Sequence, residues 1–136
     1  MKNFKLVLLA VIVGFTVSCN SDDNNYKSIG LDGAWNLVRI STPMTGESEE
    51  IDVNDVVWTF NEAKRKITIA DSREMQPQEN GINASVTYDY NIANWGEVCN
   101  EALSFNQKQY GCITIDGNNL TISTSANDGL VYRLTR

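Results

Sequence analysis

Cys19 is the side chain whose position points most directly to chemistry. It follows a basic tip at residues 1–5 and an apolar run at residues 6–17, and Ser18 places a small residue just before it. This is the layout of a secretory signal that ends at its cleavage site. The apolar run is shorter than the roughly 20 residues that a membrane-spanning helix needs. We therefore predict that residues 1–18 are removed and that Cys19 is the first residue of the mature chain.

A cysteine at that position resembles the signal of bacterial lipoproteins, in which the cysteine is diacylated and becomes the new N-terminus. The resemblance implies that residues 1–18 are a lipoprotein signal peptide and that Cys19 carries palmitate-type acyl chains. The lipid would attach the protein to the cell outer membrane. Ser21, Asp22 and Asp23 resemble the acidic tag that exports lipoproteins to the outer face, but the side of the membrane stays open. Ordinary secretion and an uncleaved N-terminal anchor are the alternatives.

Cys99 and Cys112 remain as a pair once Cys19 is assigned to lipid, and disulfides persist in exported proteins. Such a bond would close a short loop and add roughly 3 kcal/mol of stability in the chain-entropy model. Half of a metal site is the competing interpretation, but it needs further soft ligands, and the chain contains no histidine. We therefore predict a Cys99–Cys112 disulfide.

The net charge of the exported chain limits the kinds of partner that it is expected to bind. Removal of residues 1–18 takes away Lys2 and Lys5, so the formal net charge falls from −6 to −8. A chain this acidic is not expected to bind nucleic acid or to dock directly on anionic lipid headgroups. Membrane attachment should come from the lipid alone. With residues 19–30 as a flexible tether, residues 31–136 are long enough for one domain with its own core.

After the tether, apolar and polar residues alternate with a period of two, which is typical of half-buried β-strands. Asp116-Gly117 between two alternating runs is a strong hairpin signal, because both residues tolerate positive φ. We predict an all-β barrel or sandwich without helices, interrupted by an acidic loop at residues 46–52 and a polar loop at residues 72–81. An eighth strand is expected in the region 95–105. The seven clear strands are centred on residues 34–38, 56–60, 67–69, 86–92, 113–115, 120–122 and 130–134.

Two motifs at the ends of the domain carry a resemblance. Gly33-Ala34-Trp35 opens the first strand and looks like the Gly-x-Trp signature of lipocalins, and the chain closes with an aromatic and basic strand at residues 132–136. The chain resembles the small lipocalin-like domains of bacterial surface lipoproteins. That implies an antiparallel up-and-down barrel of about eight strands, with Gly33 and Trp35 beside the last strand. An arginine would stack on Trp35 by a cation–π contact of about 1–2 kcal/mol, and strand parity favours Arg136 over Arg133.

Catalytic groups are sparse. The absence of histidine excludes a Ser-His-Asp triad and histidine metal ligands. Glu49 and Glu50 could act as a general acid and base, but adjacent glutamates on a loop are usually solvated, and weak calcium binding by residues 47–55 is a minor alternative. We predict no enzymatic activity, no cofactor and no dedicated metal site.

The functional hypothesis therefore rests on the side chains inside the predicted barrel. Eight-stranded barrels can enclose one small ligand, and an aromatic lining suits an apolar or flat molecule. We predict a lipid-anchored lipocalin-like protein that binds a small apolar ligand in its barrel. The alternative is a non-enzymatic interaction or accessory protein of the cell surface with a filled core; neither ligand nor protein partner is identified. The aromatic residues with inward parity are Trp58, Phe60, Tyr88, Tyr90 and Tyr132.

Overall fold

The computed structural model describes residues 27–73, 85–124 and 129–136. All regular secondary structure within these ranges is β-strand. None of the described residues belongs to a helix that could cross a membrane. The strands are β1 (Gly33–Thr42), β2 (Glu47–Glu50), β3 (Val56–Asn61), β4 (Lys66–Asp71), β5 (Val86–Ala93), β6 (Ala102–Phe105), β7 (Lys108–Asp116), β8 (Asn119–Ser123) and β9 (Val131–Thr135).

Eight of these strands close into a barrel. β1 and β3 to β9 pair antiparallel in chain order, and β9 then pairs with β1. The closing register places Leu37 opposite Leu134 and Ile40 opposite Tyr132. The prediction of an all-β antiparallel barrel of about eight strands is confirmed, and β6 is the strand expected in the region 95–105.

β2 is an additional strand in the segment predicted as an acidic loop. It pairs with residues 39–42 of β1, on the edge where β3 pairs with residues 33–36, because β9 occupies the opposite edge. The loop prediction was therefore wrong for Glu47–Glu50. All four side chains of β2 are exposed, so no alternation of burial marks it as a strand. Backbone hydrogen bonds to β1 form this ladder, and they need no particular side chains.

A β-bulge in β1 decides which of its side chains face the core. The pairing with β9 shifts by one residue between Leu37 and Arg39, and such a shift moves the following side chains to the other face. Before the bulge, Trp35 and Leu37 are buried. After it, Arg39 is partly exposed and forms an ion pair with Glu50, whereas Ile40 packs against the core.

The two ends of the barrel differ. We call the end where β1 begins and β9 finishes the closed end, and the end where β1 finishes and β7 and β9 begin the open end. Residues 28–32 precede β1 at the closed end, and we call them the plug. The largest fully buried side chains are Trp35, Phe60, Leu31, Ile67, Leu103, Leu120, Ile122 and Leu134, so the plug contributes one of its own residues to the core.

Candidate binding site

An aromatic cluster occupies the barrel toward its open end. The rings of Phe105 and Tyr110 stack with their centroids 3.9 Å apart. The Trp58 ring lies 5.7 Å from each of Phe105, Tyr110 and Tyr132, edge-on to the first two. Tyr88 contacts Phe105 at the same centroid distance. Edge-on and stacked ring pairs favour one arrangement of the side chains, so the cluster presents a preformed aromatic surface.

A cavity of about 340 Å³ adjoins this cluster at the open end. Its walls come from the beginning of β7, the end of β8 and the beginning of β9, which lie together because neighbouring strands of the barrel are antiparallel. The described part of the lining is mostly apolar, with one charged side chain. The lining residues are Lys108, Gln109, Tyr110, Thr124, Gly129, Leu130 and Tyr132.

The structure distributes the five predicted ligand-binding residues over different parts of the core. Tyr132 lines the cavity, and Trp58 and Tyr88 lie in the cluster behind it. Phe60 and Tyr90 pack against each other at 5.5 Å and are almost fully buried. Inward parity was therefore sufficient to place these rings in the core, but not to place them around one cavity.

Tyr110 is the central lining residue that the sequence analysis missed. Its parity is opposite to that of Ile113 and Ile115, which pack against the core, so simple alternation would turn it outward. A bulge shifts the pairing of β6 with β7 by one residue just before Gly111 and turns Tyr110 into the barrel. Gly111 permits this bulge, since its φ is +127° and a Cβ there would lie 2.2 Å from the Ser123 backbone. A glycine inside a strand pattern was the available signal.

The surroundings of Tyr110 alter its chemistry. Partial burial raises the pKa of the Tyr110 phenol above its ordinary value of 10.0, and the neighbouring Tyr132 and Tyr88 hydroxyls raise it further. The Lys108 ammonium lies 5.0 Å from the centroid of the Tyr110 ring. The phenol is therefore neutral at physiological pH, and its ring lies between the cluster and a cation at the mouth of the cavity.

The closed end has the geometry that the Gly-x-Trp resemblance implies. Trp35 is fully buried on β1, and the Arg136 guanidinium lies 4.3 Å from the centroid of its ring. Trp35 donates its indole N–H to the Leu31 carbonyl at 2.7 Å. Arg136 also donates to the Asp32 carbonyl at 3.3 Å. Gly33, Trp35 and Arg136 thus act together with the plug to close this end.

Glu62, in the turn between β3 and β4, holds the plug in place. Although it is a carboxylate, it is only 5% exposed. It accepts hydrogen bonds from the backbone N–H groups of Ile29 at 3.1 Å and Leu31 at 3.2 Å, and from the Ser28 hydroxyl. Its own backbone N–H donates to Asp32. Residues 28–30, which were assigned to the tether, therefore contact the barrel.

The cysteine predictions have different outcomes. Cys99 and Cys112 form a disulfide with their Cα atoms 5.9 Å apart, and that prediction is confirmed. The bond ties the loop before β6 to β7. Cys19 lies outside the described residues, so its lipidation stays a prediction.

The acidic segments form ion pairs at the surface. Glu49 on β2 pairs with Arg73 at 2.7 Å, and Arg73 also pairs with Asp71. The residues that the structure describes contain no group of three or more side chains arranged as metal ligands. Glu49 is exposed and Asp71 is partly buried, and both are paired with Arg73.

Comparison with known proteins leaves this site to be interpreted from its own geometry. The chain matches no protein-family model, no curated protein and no solved structure at a significant level. The lipocalin resemblance rests on the residues quoted above and on the eight-stranded barrel.

Proposed function

We propose that the protein is a lipid-anchored barrel of the cell envelope that binds a small apolar ligand in its open-end cavity. The cavity itself carries this proposal: its volume of about 340 Å³ falls within the roughly 300–1,000 Å³ that ligand pockets occupy. The adjoining aromatic surface favours a flat molecule, because rings stack on rings with little reorganisation.

Protein-binding surfaces usually show a contiguous apolar patch of several hundred Å². The large apolar side chains that are well exposed in the described ranges are Met44, Val53, Val86 and Val98. Met44, Val53 and Val86 lie where β1 ends and where β3 and β5 begin, at the open end. The accessory-protein alternative would therefore use the same end of the barrel, and the binding experiment decides between the two functions.

Ligand binding is tested with 1-aminoanthracene, a neutral flat probe that becomes fluorescent in apolar surroundings. The protein is the full mature chain carrying Cys19→Ser, so that no detergent is needed to keep an acylated chain in solution. We expect saturable binding, and we expect Leu130→Trp, which fills the cavity, to weaken it by at least about tenfold, equivalent to 1.4 kcal/mol. Val53→Trp is the matched control, because Val53 is 57% exposed outside the cavity. Binding that is absent, or equal in both tryptophan variants, would exclude this function.

The position of the proposed lipid on Cys19 determines which end of the barrel would face the membrane. Lys27 follows Cys19 by eight residues, a chain length that spans at most about 30 Å, and the plug that comes next lies at the closed end. A lipid on Cys19 would thus hold the closed end toward the bilayer, with the cavity at the opposite end. We expect Cys19→Ala to move the protein from the membrane fraction to the soluble fraction or to block its maturation, since the acidic surface supplies no membrane affinity. Normal processing and sedimentation with membranes would contradict the lipid anchor.

A further inference from the structure

We infer that the cavity selects amphiphiles that carry a carboxylate, and that the Lys108 ammonium binds this head group. The inference rests on the proposed function, which it deepens by naming the class of ligand. It starts from the polarity of the cavity walls: among the lining residues that the structure describes, Lys108 is the one charged residue and none is acidic.

Lys108 lies at the mouth of the cavity rather than in its depth. It is the first residue of β7, directly after the turn at residues 106–107, and it is exposed. Its ammonium lies 5.0 Å from the centroid of the Tyr110 ring, so the cation is held over an apolar wall and next to solvent. A ligand whose apolar body contacts Tyr110 and Leu130 would bring a head group at its outer end to this ammonium.

The ion pairs of the described residues show which basic side chains already have a carboxylate partner. Within the described ranges, Arg39 pairs with Glu50, Lys66 with Asp89, and Arg73 with Glu49 and Asp71. Within the described ranges, no carboxylate forms an ion pair with Lys108. Its ammonium is therefore available to an incoming anion without first breaking an internal salt bridge.

The expected selectivity is moderate. Because Lys108 is exposed, a carboxylate would gain an ion pair of the solvent-screened kind, which corresponds to about fivefold in affinity. A neutral polar head group would leave the ammonium in water at no loss. The apolar body would supply most of the affinity, and Lys108 would supply the preference among ligands of the same body.

The test compares two ligands with one ring system, 9-anthracenecarboxylate and 9-anthracenemethanol, on the full mature chain carrying Cys19→Ser. We expect the carboxylate to bind about fivefold more tightly at low salt. Lys108→Met should abolish the preference because the carboxylate loses more affinity than the alcohol, and Lys108→Arg should retain it. Lys64→Met is the matched control, because Lys64 is an exposed lysine in the turn between β3 and β4 at the other end of the barrel, and it should leave the preference unchanged.

The outcomes separate this inference from the proposed function. Equal affinity for the two ligands, or a preference that survives Lys108→Met, overturns the role of Lys108 while ligand binding stands. A preference lost equally in Lys64→Met and Lys108→Met would assign it to overall charge and also overturns the inference. If neither ligand nor 1-aminoanthracene binds, the proposed function fails and the inference fails with it.

Discussion

Replacing Glu62 by alanine should show how strongly the plug is tied to the barrel. The carboxylate accepts hydrogen bonds from a buried N–H at Leu31 and a part-buried N–H at Ile29. A buried donor left without an acceptor costs about 1–3 kcal/mol, and hydrogen bonds to a charged group are at the upper end of the normal range. Because Ile29 lies near solvent and can recruit water, we expect Glu62→Ala to lower the free energy of unfolding by about 3 kcal/mol. For a domain with 5–15 kcal/mol in total, this is a large fraction.

The assay is urea denaturation followed by tryptophan fluorescence. Trp35 is a suitable reporter, since its indole N–H donates to the Leu31 carbonyl within the plug. Glu62→Gln keeps an acceptor oxygen but loses the charge, so its destabilisation should be smaller, about 1 kcal/mol. Glu97→Ala is the matched control, because Glu97 is an exposed glutamate in the loop before β6, and it should stay within about 0.5 kcal/mol of the unmodified protein.

Hydrogen exchange at the Leu31 amide supplies an independent measurement. This amide should be protected in the unmodified protein and should exchange rapidly in Glu62→Ala, because the carboxylate is its acceptor. If Glu62→Ala is no less stable than Glu97→Ala and the Leu31 amide stays protected, the plug is held by other contacts and the reasoning is refuted.

Three further predictions concern the bulge, the disulfide and the buried phenol. Gly111→Ala should lower the free energy of unfolding by about 2–4 kcal/mol in denaturant titration, since its Cβ would meet the Ser123 backbone at 2.2 Å and its φ is +127°; a loss below about 0.5 kcal/mol would contradict the bulge. Reduction of the Cys99–Cys112 disulfide should lower the free energy of unfolding by roughly 3 kcal/mol, measured by urea denaturation with and without reductant. Equal denaturation midpoints in the two conditions would contradict a stabilising disulfide. Tyr110 should ionise above pH 10 in absorbance titration at 295 nm, and Tyr110→Phe should remove this late transition. Because burial raises the pKa of Tyr110 in the folded state, the contribution of this phenol to folding stability is complete below pH 10 and is lost as the pH rises further. A Tyr110→Phe protein with unchanged alkaline unfolding would argue against this burial.

The sequence by itself determined the class of fold and several of its anchors. Alternation with a period of two places apolar side chains on one face of each strand, and that face must be buried. The hairpin at Asp116-Gly117 and the Cys99–Cys112 disulfide followed from local chemistry. The stacking of Arg136 on Trp35 followed from the resemblance to lipocalins, and the parity of the last strand selected the arginine. These features depend on residue type and short-range parity, which a single chain displays.

The candidate site was only partly predictable, because parity along one strand does not show where a bulge reverses it. Tyr132 was identified from its parity, but Tyr110 was missed because a bulge reverses the alternation at Gly111. Ile40 enters the core through a second bulge of the same kind. A bulge is a property of two paired strands, so one strand's own sequence does not reveal where parity changes.

Only the tertiary structure decided how the two ends of the barrel are built. The edge strand Glu47–Glu50 forms through backbone pairing with β1, and no alternation of buried and exposed side chains predicts it. Glu62 lies in the turn between β3 and β4, yet its carboxylate is buried because the plug, 31 residues away from it at Leu31, supplies the N–H donors. The cavity likewise exists because the beginnings of β7 and β9 and the end of β8 meet at one end when the barrel closes. Each of these depends on contacts between distant segments, and closure of the sheet is the step that brings those segments together.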